Sequence, residues 1–335
     1  MLSNPIRDVH KVSNDEVHIP IHRPSTVHSK MALENPNLFQ AMEKALINRQ
    51  RIGVAVRDIS KPMPSSQPDL FSNDYLSLAT NHHLRQAVLE KLNKAPYILG
   101  TSGTRALCGS PGQLISLEKR MQDYWGAPSA LLCNSGYDAN FAFFGSVPQK
   151  TDAVIYDELI HASIIDGLKV SRASLALVPF AHNSLTSLRE SILRILALKP
   201  NIMAGHGTLF VSLESVYSMD GDFSPLPDII AVVEELVPAG AFHIVVDEAH
   251  TTGLYGEKGR GFVSMLGLER RVHTVLHTFG KACGFIGGDF SGFHSEWYIT
   301  DNITSCSPHA PIYQDVSSQL CSASHIQQFI ASLHH

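Results

Sequence analysis

Two residue types in this sequence suggest chemistry when taken together: a lysine and an aspartate, each placed just after an apolar run. The first lies in His273-Thr-Val-Leu-His277-Thr278-Phe-Gly280-Lys281-Ala-Cys283. Val275 and Leu276 predict the end of a short buried strand, and Gly280 breaks the pattern and leaves Lys281 on a turn. A lysine there can project into a cleft. Burial favours its neutral amine, which can attack a carbonyl carbon and carry an aldehyde cofactor as a Schiff base. Most lysines are simply solvated, so the case depends on what lies upstream.

Upstream is Asp247, in Phe242-His-Ile-Val-Val-Asp247-Glu-Ala-His250-Thr-Thr-Gly253. The apolar run predicts a buried parallel strand that ends at the aspartate, and ligands bind at the carboxyl ends of such strands. A carboxylate there can hold a protonated pyridine nitrogen, which pyridoxal phosphate requires. His250 follows closely enough to face the same cleft.

Asp247-Glu-Ala-His250-Thr-Thr-Gly253 followed by Thr278-Phe-Gly-Lys281 resembles the α-oxoamine synthase family of fold-type I, pyridoxal-phosphate-dependent enzymes. Three more segments match in order: Asn134-Ser-Gly-Tyr137-Asp-Ala-Asn140, Leu159-Ile-His161-Ala-Ser163 and Glu214-Ser-Val-Tyr-Ser218-Met-Asp-Gly221-Asp222. The likeness runs from about Phe71 to Gly288. It implies pyridoxal 5′-phosphate as cofactor and the decarboxylative condensation of an acyl-CoA with a small amino acid.

The resemblance also implies roles. Lys281 would carry the cofactor and move protons at the substrate Cα, and Asp247 would keep the ring nitrogen protonated. His161 would stack on the ring, with His250 and Ser218 near the phenolic oxygen and substrate. Ser135, Gly136 and Tyr137 would seat the phosphate, with Thr278 nearby, and Asn73 would hold the amino-acid substrate. Taken alone, Asn73 also reads as a turn or cap, His161 as a cap or core residue, and Ser135–Tyr137 as an ordinary strand-to-helix turn. Backbone N–H groups at a helix N-terminus nevertheless suit a phosphate.

The elements that must position these residues alternate. Short apolar runs at Ala130, Ala153, Leu175, Thr208, Phe242 and Val275 predict strands; Leu114–Tyr124, Leu185–Leu198 and Pro225–Leu236 predict helices. This is the α/β pattern of a mostly parallel sheet covered by helices on both faces. The family's fold is the aspartate aminotransferase-like large domain, with a small C-terminal domain. Residues 1–70 read as a polar arm and a helix with Leu38, Met42, Leu46 and Ile47 at helical spacing, and 71–288 as the cofactor-binding domain. Tyr97–Gly112, with four glycines, reads as a loop that other family members extend toward a partner subunit, which implies a homodimer. Residues 289–335 hold no Lys or Arg, although the chain has 26, and read as a divergent tail in place of the C-terminal domain.

Composition narrows the alternatives. Net charge is −5 with no basic block, which argues against a nucleic-acid partner. No apolar run approaches a membrane span. Five cysteines without metal-like pairing fit a reduced, cytoplasmic setting. Two other readings compete: a truncated, inactive paralogue acting as a binding partner, and an aminotransferase.

Overall fold

A computed structural model describes residues 36–51, 68–95, 112–173 and 176–292. The expectations for residues 1–35, nearly all of the Tyr97–Gly112 loop and most of the 289–335 tail therefore lie outside the described residues. The chain divides into two units, Met1–Pro68 and Asp69–His335. In the first, α1 (Pro36–Arg51) is helical as its spacing predicts, and Leu38, Phe39, Met42, Leu46 and Ile47 are exposed.

The second unit is built on a seven-stranded sheet. Its strands are β1 (Ser129–Cys133), β2 (Ala153–Asp157), β3 (Leu177–Phe180), β4 (Leu209–Glu214), β5 (Phe242–Asp247), β6 (Thr274–Thr278) and β7 (Gly288–Gly292). They lie in the order β1-β7-β6-β5-β4-β2-β3. The strands from β3 to β6 pair in parallel, and β7 enters antiparallel between β6 and β1. The longer helices are α2 (His82–Lys94), α3 (Gly112–Trp125), α4 (Gly136–Ser146), α5 (Ala162–Lys169), α6 (Leu185–Leu198) and α7 (Leu226–Leu236).

Successive strand residues point to opposite faces, and the core divides accordingly. Val154, Phe210, Val245, Leu276 and Phe290 pack on one face with Ala139, Phe143, Ile164 and Leu168 of α4 and α5. Ile155, Val211, Ile244 and Val246 pack on the other with Leu188 and Ile192 of α6 and Ile229 and Val233 of α7. Leu114, Leu117 and Met121 of α3 cover Ala130 and Leu132. The near-continuous apolar runs of β4 and β5 are what burial on both faces demands.

The strand β7 was not anticipated. It crosses the 288/289 boundary drawn from composition, and Asp289 and Phe290 are buried in it. Its residues pair with both β1 and β6, so pairing rather than side-chain propensity makes it a strand.

Candidate functional site

The side-chain alternation that builds the core also builds the site. Glu214 ends β4 and Asp247 ends β5, and they are register partners. Both share the face of Phe210 and Val245, which α4 and α5 cover. Two carboxylates therefore sit side by side, nearly sealed from solvent, at the carboxyl edge of the sheet. Burial, then the neighbouring Asp247 charge, pushes the Glu214 carboxyl up to about 9, so it holds its proton at neutral pH.

Asp247 is held through both carboxylate oxygens. Its Oδ1 accepts from the Ala249 N–H at 2.8 Å and its Oδ2 from Asn140 Nδ2 at 2.6 Å. The same Asn140 amide donates to Ser163 Oγ at 3.0 Å. Ser163 in turn binds His161 Nδ1, through its hydroxyl at 2.6 Å and its N–H at 3.2 Å. His161 thus caps α5, as one of its two readings expected, and the capping bonds fix the ring plane.

Lys281 follows β6 and meets His250, Nζ to Nε2, at 2.7 Å. Burial lowers the lysine pKa, opposed by the Asp247 charge. Burial, then the lysine charge, brings His250 down to about 4, so the imidazole is neutral. On its other side His250 Nδ1 meets Tyr75 Oη at 2.7 Å, and the Tyr75 hydroxyl donates to Asn73 Oδ1 at 3.1 Å. The Asp74 carboxylate holds this segment, accepting from the N–H groups of Leu78 and Ala79 at 2.9 and 3.2 Å.

A third group lies at the start of α4. Ser135 is its N-cap, with Oγ accepting from the Asp138 N–H at 3.0 Å. A Cβ on Gly136 would fall 1.9 Å from Thr278 Oγ1, so the glycine lets β6 approach the helix start. Tyr137 is half exposed, hydrogen-bonds Asp166 and stands edge-on to the His161 ring at 6.1 Å.

The structure therefore brings Lys281, His250, Asp247 and His161 to one sheet edge, and Gly136 against Thr278. Asn73 reaches the lysine only through Tyr75 and His250. Ser218 stands exposed in the turn after β4, with no hydrogen bond to Lys281 or His250. Sequence reasoning gave no role to Tyr75, Asn140, Ser163 or Glu214. The last three lie inside the quoted motifs, which was their only signal. Among the described residues no group of His, Cys, Asp and Glu could hold a metal ion, and no helix is long and apolar enough to cross a membrane.

Known proteins resemble this chain in sequence and in fold. The model of the family "Aminotransferase class I and II" matches residues 66–334. The 8-amino-7-oxononanoate synthase of Emericella nidulans is 43% identical over 222 residues, covering 66% of this chain and 54% of that protein. An aminoacyl transferase of Byssochlamys spectabilis is 37% identical over 251 residues, covering 74% and 53%. Among solved structures, the serine palmitoyltransferase of Sphingomonas wittichii aligns with a TM-score of 0.65 at 28% identity, covering 77% of this chain and 61% of that one. Another, described as SPT with a PLP internal aldimine, aligns with a TM-score of 0.65 at 27% identity over 78% and 62%. The chain spans about half the length of the curated relatives it matches.

Proposed function

The chain belongs to the aminotransferase class I and II family and, within it, to the α-oxoamine synthases, and from that membership and the site geometry we propose that it binds pyridoxal 5′-phosphate and condenses an acyl-CoA with a small amino acid, releasing CO2. The observation that carries this reading is the Lys281–His250 contact of 2.7 Å, made beside Asp247 at the carboxyl edge of the sheet.

The residues present fit the cofactor. The first-turn N–H groups of α4 lack intrahelical carbonyls and suit a phosphate, and Gly136 keeps their approach open beside Thr278. Asp247, fixed by Asn140 and the Ala249 N–H, is oriented to hold a protonated ring nitrogen. His161, its ring plane set by Ser163, offers a flat face. When bound, the cofactor supplies an electron sink for charge that develops at the substrate Cα.

The protein's own part is positional and acid–base. Burial raises the neutral fraction of Lys281, making it both a nucleophile and a base for the Cα proton. Glu214, holding its proton, sits beside Asp247 without adding a negative charge there. A homodimer and a cytoplasmic setting complete the proposal.

Two measurements test it. Full-length protein titrated with pyridoxal phosphate should gain a lysine-dependent visible absorption, absent in Lys281→Ala. Acyl-CoA mixtures with glycine, alanine or serine should then give CO2 in proportion to enzyme. A visible band that survives Lys281→Ala removes the lysine from its role, and transamination without CO2 release would replace the condensation with the aminotransferase reading.

A further inference from the structure

The hydrogen bonds from Asn73 to Lys281 have a direction. A phenol has one proton, and Asn73 Oδ1 at 3.1 Å and His250 Nδ1 at 2.7 Å both face the Tyr75 oxygen. Asn73 Oδ1 can only accept, so the assignment that makes both contacts hydrogen bonds has the phenol donating to Asn73 and Nδ1 donating to the phenol. A neutral imidazole carries one N–H. His250 Nε2, facing Lys281 Nζ at 2.7 Å, is therefore the acceptor.

We infer that Asn73 and Tyr75 are positioning residues that hold His250 in its Nδ1–H tautomer, so that Nε2 takes one N–H of Lys281 and leaves the amine lone pair pointing into the cleft. The opposite tautomer would aim an Nε2–H at that lone pair and engage the electrons a nucleophile needs. The order of the contacts thus decides whether His250 assists or blocks the lysine. Neutrality of the ring is consistent with its burial, which brings His250 down to about 4. The inference gives Asn73 a task different from contact with the amino-acid substrate. It also gives Tyr75, which contributes to no core cluster, a reason to sit over His250.

The inference rests on Lys281 as the reacting amine, but its primary readout does not need the cofactor. Full-length protein labelled with 15N-histidine, with the His250 signal identified by its loss in His250→Gln, reports which ring nitrogen carries the proton. Wild-type protein should show Nδ1 protonated and Nε2 bare. Tyr75→Phe, which removes the acceptor, should shift His250 toward the Nε2–H form. Asn73→Leu should do the same in part, and Asn73→Asp, which keeps an acceptor, should restore the wild-type tautomer. As a second readout, the rate at which Lys281 reacts with pyridoxal phosphate should fall about tenfold in Tyr75→Phe, the scale of one hydrogen bond.

Nε2 protonated in the wild-type protein would overturn the inference. So would a Tyr75→Phe protein with unchanged tautomer and unchanged rate. Failure of the lysine's own role would instead appear as a visible band surviving Lys281→Ala, with the tautomer as expected. Tyr75 and Asn73 lie on an exposed segment and fill no core space, so these variants should fold.

Discussion

Asn140 Nδ2 donates to Asp247 Oδ2 at 2.6 Å, while the same amide donates to Ser163 Oγ at 3.0 Å. One buried side chain on α4 thereby couples the carboxylate at the end of β5 to the serine that orients His161. Its own Oδ1 is buried without a partner among the described residues. Asn140→Ala should leave Asp247 Oδ2 and Ser163 Oγ short of a donor and cost about 1–3 kcal/mol of stability. Because the carboxylate proposed to hold the ring loses its orientation, affinity for pyridoxal phosphate should fall by roughly tenfold or more. Denaturant unfolding and a cofactor titration read the two effects, and an unchanged affinity would separate Asn140 from the site.

Gly136 is required by steric closeness. A Cβ there meets Thr278 Oγ1 at 1.9 Å, so the hydroxyl must move, and Thr278 Cβ at 3.1 Å, a tight contact. Gly136→Ala should weaken pyridoxal phosphate more than pyridoxal, since the disturbance falls where the phosphate is proposed to sit. Adding Thr278→Ala removes the nearest clash and should recover part of the loss. Equal loss for both ligands would place the phosphate elsewhere.

The sequence made part of this site legible, for physical reasons. The runs in β4 and β5 are apolar because both faces of the sheet are covered, and each ends in a carboxylate buried at the carboxyl edge of the sheet. β7 was illegible: Gly-Asp-Phe-Ser-Gly has little strand propensity and becomes a strand through pairing on both sides. α2 was missed as well, although Leu84, Val88 and Leu92 recur at helical spacing; they are only partly covered, and the helix buries none of its residues. Tyr75 could not have been found by spacing, since its partner His250 lies 175 residues away. Asn140 was hidden for another reason: α4 is buried almost all round, so its inward positions carry no periodic mark.

Glu248 should give the protein an alkaline sensitivity. It is fully buried beneath the 261–263 turn; Oε1 accepts from the Val263 N–H at 2.6 Å, and Oε2 has no hydrogen-bond partner among the described residues and lies 4.0 Å from His277 Nδ1. Burial pushes its carboxyl up from 4.5 to about 8. The folded state therefore keeps a proton that the unfolded chain has released. The stability this contributes is whole below pH 4.5 and is lost as pH rises to about 8, by at most roughly 1.4 kcal/mol per pH unit. Glu248→Gln, neutral at every pH, should flatten that part of the stability profile measured by urea unfolding between pH 5 and 9. A profile as steep as wild type would assign the slope to other carboxyls, Glu214 among them.

His182 should act in the same direction from a different structural origin. Nδ1 meets Asp157 Oδ1 at 2.8 Å and Nε2 meets Asp222 Oδ2 at 2.9 Å, so both contacts are hydrogen bonds only when the ring is protonated. Glu158 accepts from its backbone N–H at 2.9 Å, and Tyr217 stands edge-on at 4.6 Å. Burial alone lowers its pKa, but the hydrogen bonds and charges of Asp157 and Asp222 more than offset that and raise it. A raised folded value means stability that is whole below the unfolded pKa of about 6.5 and lost as pH climbs through the folded one. Asp222 belongs to the turn that carries Ser218, closed by Tyr217 N–H to Asp222 O at 3.0 Å and Gly221 N–H to Tyr217 O at 2.8 Å. Releasing Asp222 should free that turn before the sheet. Hydrogen exchange at Tyr217 and Gly221, corrected for intrinsic rates, should therefore accelerate with pH in the wild type. In His182→Leu, which donates to neither carboxylate, it should be fast at every pH. Protection that stays constant across the titration, or survives the substitution, would show that the imidazolium does not hold the turn.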